Sequence, residues 1–204
     1  MSESKLRVLE WEDSPKSFEK LLKNAPEEKC DLVDGQYFLN SPVSAEHNDI
    51  RRFIESILQI FIEEKSLGKI FSENFPIKLN DRNWREPDIL FIANDRLKDL
   101  EKNFFKGKPN LIIEVLSSES KYRDEVRKKA EYETLGVEEY WLIDPLEYEK
   151  STFYQIKDNI YKKVDFSGSK IISNEINGFF LKKEWLWGDK KLPTILKTIK
   201  DFGF

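Results

Sequence analysis

Several residue types are scarce in this chain, and each scarcity removes a class of function. Cys30 is the one cysteine in 204 residues and there is one histidine, so an internal disulfide is impossible and a thiol nucleophile or cysteine metal site is a poor reading. Cys30 reads as a partly buried small residue. Only eight glycines are present, none in a glycine-rich strand-to-helix turn, which argues against a P-loop or dinucleotide enzyme. No apolar run approaches membrane-spanning length, and the start MSESKLRVLEWEDSP lacks the basic head and apolar stretch of a signal peptide, so a cytoplasmic location is expected. Excess positive charge is missing too. At a net −4, attraction to a polyanion must come from local clusters: Arg51-Arg52, the group Lys121, Arg123, Arg127, Lys128 and Lys129, and the pairs Lys182-Lys183 and Lys190-Lys191. Each cluster reads equally well as a solvated face.

What is present describes a folded protein: 39% hydrophobic residues and 13% aromatics exclude a disordered chain, and the length suits a single domain. Ser14-Pro15 before KSFEKLLKN predicts a short helix to about Asn24. In CDLVDGQYFLN, Asp34-Gly35 supplies hairpin turn chemistry. After Ser44 the spacing of His47, Ile50, Ile54, Ile57 and Phe61 predicts a long core helix ending before Gly68. KIFSENFPIKLN, a turn through DRNWREP, and the runs DILFIAN and NLIIEVLS follow as strands. A helix is expected from about Asp124 to Leu135 with Gly136 as its left-handed stop, then the strand EYWLID, a hairpin around Asp158-Asn159 and a β-rich tail. This order predicts an α/β fold, a mixed central sheet flanked by helices, with a core over about 14–145 and an extension over about 146–204.

Two acids stand where structure alone does not call for them. Strand alternation in NLIIEVLS puts Ile112, Glu114 and Leu116 on one face and Leu111, Ile113 and Val115 on the other. Glu114 therefore shares a face with apolar neighbours, where an ionised carboxylate needs a cation, a metal or several hydrogen-bond donors. Asp88 opens the other strong strand directly after Pro87, at a margin that ligands can reach, although alone it reads equally as a strand-start cap. On the second helix Lys128 shares a face with Asp124, Tyr132 and Leu135, which favours Lys128 over Lys129 as the inward amine; Val126 and Ala130 leave the opposite assignment open. Two carboxylates and a lysine brought together suit phosphodiester hydrolysis, because Mg²⁺ (or Mn²⁺) takes hard oxygen ligands and a nearby ammonium stabilises charge on the phosphate.

The combination of EPD at 86–88, LIIEVLS at 111–117, Asp124 with Lys128, Tyr132 and GVEEYWLIDP at 136–145 resembles the Uma-two family of "putative restriction endonucleases", within the PD-(D/E)XK nuclease superfamily. LVDG at 32–35 and the histidine of SAEHNDI extend the resemblance to about Asp31–Pro145. It implies a restriction-endonuclease-like core in which Asp88, Glu114 and the Val115 carbonyl hold a metal. Leu116 stands where the superfamily pattern has lysine, and the resemblance implies that Lys128 supplies the amine from the following helix instead. His47 reads most simply as a hydrogen-bonded core histidine, while the resemblance gives it a supporting role at the site. Glu46 and Glu73 are read as solvated or structural, and GVEEYWLIDP and the tryptophans as packing.

The function expected is therefore a Mg²⁺-dependent endonuclease on DNA, with the choice of DNA against RNA left open by the sequence. A catalytically weak nuclease-fold module that binds nucleic acid or a partner protein is the alternative. Cleavage of both strands by this fold calls for two sites, so the resemblance implies a homodimer. A sugar hydrolase built on paired carboxylates is disfavoured by the lysine.

Overall fold

The computed structural model describes residues 17–188 and 191–204, with the backbone of Val8–Leu9 as strand β1. The helix start expected at Ser14-Pro15 lies outside the described residues. Within them α1 (Phe18–Lys23) is capped by Ser17, whose hydroxyl accepts from the Lys20 N–H. β2 (Cys30–Val33) and β3 (Gln36–Leu39) form the expected hairpin, with Asp34 at φ 52° and Gly35 at φ 84° making the primed turn that matches strand twist. α2 (Ala45–Lys65) starts at Ser44, whose hydroxyl accepts from the His47 N–H at 3.2 Å.

β4 (Gly68–Ser72) and β5 (Ile77–Asn80) follow, then β6 (Asn83–Arg85), β7 (Ile89–Ala93) and β8 (Leu111–Val115). Here the structure corrects one expectation: DRNWREP is not all turn. Asp81 and Arg82 reverse the chain, and Trp84, fully buried, pairs with Lys78 on one side and Leu32 on the other. A second difference lies in the helix expected from Asp124. Its first part, Arg123–Lys128, is wound as a π-helix, and only Lys129–Leu135 (α3) is α-helical, ending at Gly136 with φ 83°. β9 (Glu139–Ile143), β10 (Thr152–Lys157), β11 (Ile160–Val164), β12 (Lys170–Ile172), β13 (Phe180–Lys182), α4 (Lys183–Trp187) and α5 (Ile195–Ile199) complete the chain.

Six strands make the large mixed sheet, in the order β11-β10-β9-β8-β7-β4, with β8 and β9 parallel and the other neighbours antiparallel. The π and α turns between β8 and β9 are the crossover that a parallel pair requires. A five-stranded sheet, β1-β3-β2-β6-β5, lies to the other side of the β6–β7 connection.

Both faces of the large sheet are covered. On one, Leu111, Ile113, Val115, Trp141 and Ile143 pack on the apolar stripe of α2 from Ile50 to Ile62, together with Ile171, Ile176, Phe179 and Leu181 from beyond β11. On the other, Ile112, Leu116, Tyr140 and Leu142 meet Tyr132 and Val137 from the crossover. Each fully buried side chain of this size stabilises by about 1.5–3 kcal/mol, so the two layers hold β8 fixed from both sides. No helix among the described residues is long and apolar enough to cross a membrane.

Candidate active site

The β7–β8 register places the two acids together. Ile89 pairs with Ile113 in an antiparallel ladder, so Asp88, directly before β7, comes level with Glu114 at the end of that ladder. A hydrogen bond fixes this arrangement: Val115 N–H donates to Asp88 Oδ2 at 2.8 Å. Asp88 and Glu114 are only 4% and 3% exposed, and both line a cavity of about 310 Å³.

Glu114 faces the crossover layer, where Lys128 and Tyr132 reach it. Lys128 Nζ donates to Glu114 Oε1 at 2.8 Å and lies 3.1 Å from Asp124 Oδ1; the Tyr132 hydroxyl donates to Glu114 Oε1 at 3.3 Å. Within the π winding Asp124 and Lys128 are both buried, with Val126 and Arg127 exposed between them. Lys129 points instead over the ring of Tyr154. The structure thus brings together Asp88, Glu114 and Lys128 as the sequence predicts, with Val115 and His47 on the same cavity wall. His47 Nε2 lies 3.4 Å from Asp88 Oδ2, and its buried Nδ1 has no partner among the described residues. Glu46 is exposed; Glu73 lines the cavity rim, 3.4 Å from Arg51 Nε. Arg51, part of a basic pair in the sequence, is buried and bonded to Glu55, so it is not an open positive patch.

Sequence reasoning misses several members of this centre. Lys29, just before β2, donates to Asp88 Oδ1 at 2.5 Å. Asp124, noted only as a neighbour of Lys128, is one of its two anions. Behind them, Arg85 makes a two-pronged bond to Glu131 at 2.6 and 2.7 Å and stands 3.2 Å from the fully buried Asp31. Glu86 accepts from the Cys30 N–H, and its own N–H donates to Asp31. These two bonds clamp β2 to the segment carrying Asp88, which sets where Lys29 starts.

Burial alone would raise the Asp88 carboxyl, but Lys29 and His47 hold it well below the usual carboxylate range. Glu114 goes the other way: burial, with Asp124 and Asp88 nearby, pushes it up to about 7 against the pull of Lys128. Lys128 itself is desolvated, yet Asp124, Glu114 and Asp31 raise it, so its ammonium stays charged. Burial, again the largest effect, lifts Glu86 to about 7 and the Cys30 thiol to about 12, which makes Cys30 inert.

The described residues contain no group of three or more His, Cys, Asp and Glu side chains placed to hold a metal ion. The carboxylates that line the cavity are those of Glu73, Asp88, Glu114, Glu119 and Asp124, beside the Val115 main chain, and Glu114 Oε2 takes no hydrogen bond among the described residues. This is a hard-oxygen set, which fits a cation such as Mg²⁺ or Mn²⁺ better than a soft metal.

No curated protein matches the sequence. The structure is similar to the crystal structure of a "putative nuclease belonging to DUF820" from Anabaena variabilis ATCC 29413, with a TM-score of 0.67, 16% identity, and 92% of this chain and 99% of that one covered. At that identity the likeness establishes the fold. Residues 15–182 match the family described as "Uma2: Putative restriction endonuclease". That span takes in the whole six-stranded sheet and every residue that lines the cavity, and the chain belongs to the Uma2 family.

Proposed function

We propose that the protein is a divalent-metal-dependent endonuclease that hydrolyses phosphodiester bonds in DNA. The observation that carries this reading is the meeting of Asp88 and Glu114 on adjacent strands, with the permanently charged Lys128 bonded to Glu114, at the wall of one cavity. Asp88, Glu114 and the Val115 carbonyl would hold the metal. A hard divalent cation bound there supplies polarisation of the phosphoryl oxygen and a water of lowered pKa.

The chain's own groups do the rest. Asp88 is kept ionised by its neighbours. Lys128 is held charged by three acids, so it is no general base; it acts as a fixed positive charge beside the phosphate as negative charge builds up. Tyr132 and Asp124 restrain Glu114 and Lys128 respectively, so neither side chain needs to reorganise during the reaction. His47 packs against Asp88 and limits its rotation.

Purified protein with Mg²⁺ or Mn²⁺ is expected to nick supercoiled plasmid, and Asp88→Asn or Glu114→Gln to abolish nicking while the fold survives. Failure to cleave a panel of DNA and RNA substrates would sink the reading. DNA binding that persists in Asp88→Asn without any cleavage by the parent protein would instead support a binding module. Cutting of both strands requires a second site, so a homodimer forms part of the proposal.

A further inference from the structure

We infer that Lys29 is a built-in cation that occupies the metal's place on Asp88, and that a divalent ion must displace it to bind. The inference rests on the metal site proposed above but concerns a residue that the reading does not require. Both oxygens of Asp88 are already engaged: Oδ2 accepts from Val115 N–H at 2.8 Å, and Oδ1 accepts from Lys29 Nζ at 2.5 Å. The Val115 bond is part of the main-chain frame and cannot be given up. The lysine can, because its side chain is 20% exposed whereas that of Asp88 is 6% exposed, so Lys29 covers the carboxylate from the cavity side.

Its root is also fixed. The Lys29 carbonyl accepts from Asn40 N–H, and the next residue, Cys30, is bound through its N–H to Glu86. Only the flexible four-carbon stem is left to move. Lys29 lines the same cavity as Glu114 and Lys128. One carboxylate oxygen cannot present the same face to an ammonium and to a divalent ion. Lys29 therefore neutralises Asp88 until a metal arrives and sets a threshold concentration for loading.

The test is Mn²⁺ titration of the full chain by calorimetry. The parent protein is compared with Lys29→Met, which keeps the stem and removes the charge, and Lys29→Gln, which keeps a polar head. Both variants are expected to bind Mn²⁺ at least tenfold more tightly than the parent, and Asp88→Asn to remove binding in every background. Unchanged or weaker Mn²⁺ affinity in folded Lys29→Met and Lys29→Gln overturns the role of Lys29 and leaves the nuclease reading standing. Absence of Mn²⁺ binding in the parent and both variants overturns the two together. Circular dichroism confirms folding, and the paired variants guard against one that does not fold.

Discussion

The Lys128 ammonium stands 2.8 Å from Glu114 Oε1, and each side chain is almost closed to solvent. A pair in such a place is weak evidence for stability but strongly opposes removal of one member, since the survivor is left charged and desolvated. Lys128→Met is therefore expected to cost about 3–5 kcal/mol in urea unfolding, and Glu114→Gln in the same chain to restore part of it. In single-turnover plasmid nicking, the lysine variant is expected to lose about 100- to 1000-fold in rate. Equal stability of Lys128→Met and the parent would refute the pairing.

Glu86 predicts a pH dependence. Its folded-state value, about 7, stands above the ordinary 4.5, so the folded protein holds the proton more tightly than the unfolded chain does. The stability this contributes is fully present below about 4.5 and is lost as pH rises through 7. Glu86→Gln, which still accepts from Cys30, is expected to be more stable than the parent at pH 8 by on the order of 3 kcal/mol, with the gap closing toward pH 5. Denaturant melts in chelator at several pH values would measure it; a constant gap contradicts the assignment.

Gly68 is required by close approach, not by its dihedral angles. A Cβ built there would lie 2.1 Å from the Ile92 carbonyl oxygen and 2.9 Å from the Ala93 Cα, both main-chain atoms on the partner strand. Gly68→Ala is expected to destabilise by about 1–3 kcal/mol through forced separation of β4 from β7. A thermal shift of less than a degree would show that the edge strand yields freely.

Phe179, fully buried, stacks edge-on against Phe61 of α2 at a centroid distance of 5.4 Å. Phe179→Ala is expected to cost about 3–5 kcal/mol in equilibrium unfolding. A negligible loss would mean that the segment after β11 packs only loosely on α2.

The parts of this fold that can be read in the sequence are those whose cause is local. Asp34-Gly35 announces its hairpin because few residues accept a left-handed turn, and NLIIEVLS reveals Glu114 because a period of two leaves one acid among aliphatics. The helix-face argument picks Lys128 correctly among its neighbours, since Asp124 and Tyr132 do lie beside it, although the winding there is π. Lys29 was invisible for the opposite reason. Its partner is 59 residues away, and EEKC carries no periodicity that marks one lysine as inward. The same holds for Asp31 and Glu86, 55 residues apart, whose burial is justified only by each other's backbone and by Arg85. β6 was hidden because Asp81, Arg82 and Asn83 have turn chemistry, and only long-range pairing makes a strand of Trp84.

Glu114, Asp124, Lys128 and Tyr132 all belong to a single strand–crossover–strand unit, β8 to β9, whereas Lys29 comes from the five-stranded sheet and Asp88 from the junction between the sheets. The first four therefore travel as one cassette: a shift of the smaller sheet leaves their mutual distances untouched. The Lys29–Asp88 contact, by contrast, joins residues from the two sides of that junction, beside the Cys30–Glu86 and Glu86–Asp31 bonds that hold them together. Substitutions in the hairpin β2–β3, remote from the acids in sequence, should thus be felt as changes in metal threshold before they are felt as changes in chemical rate.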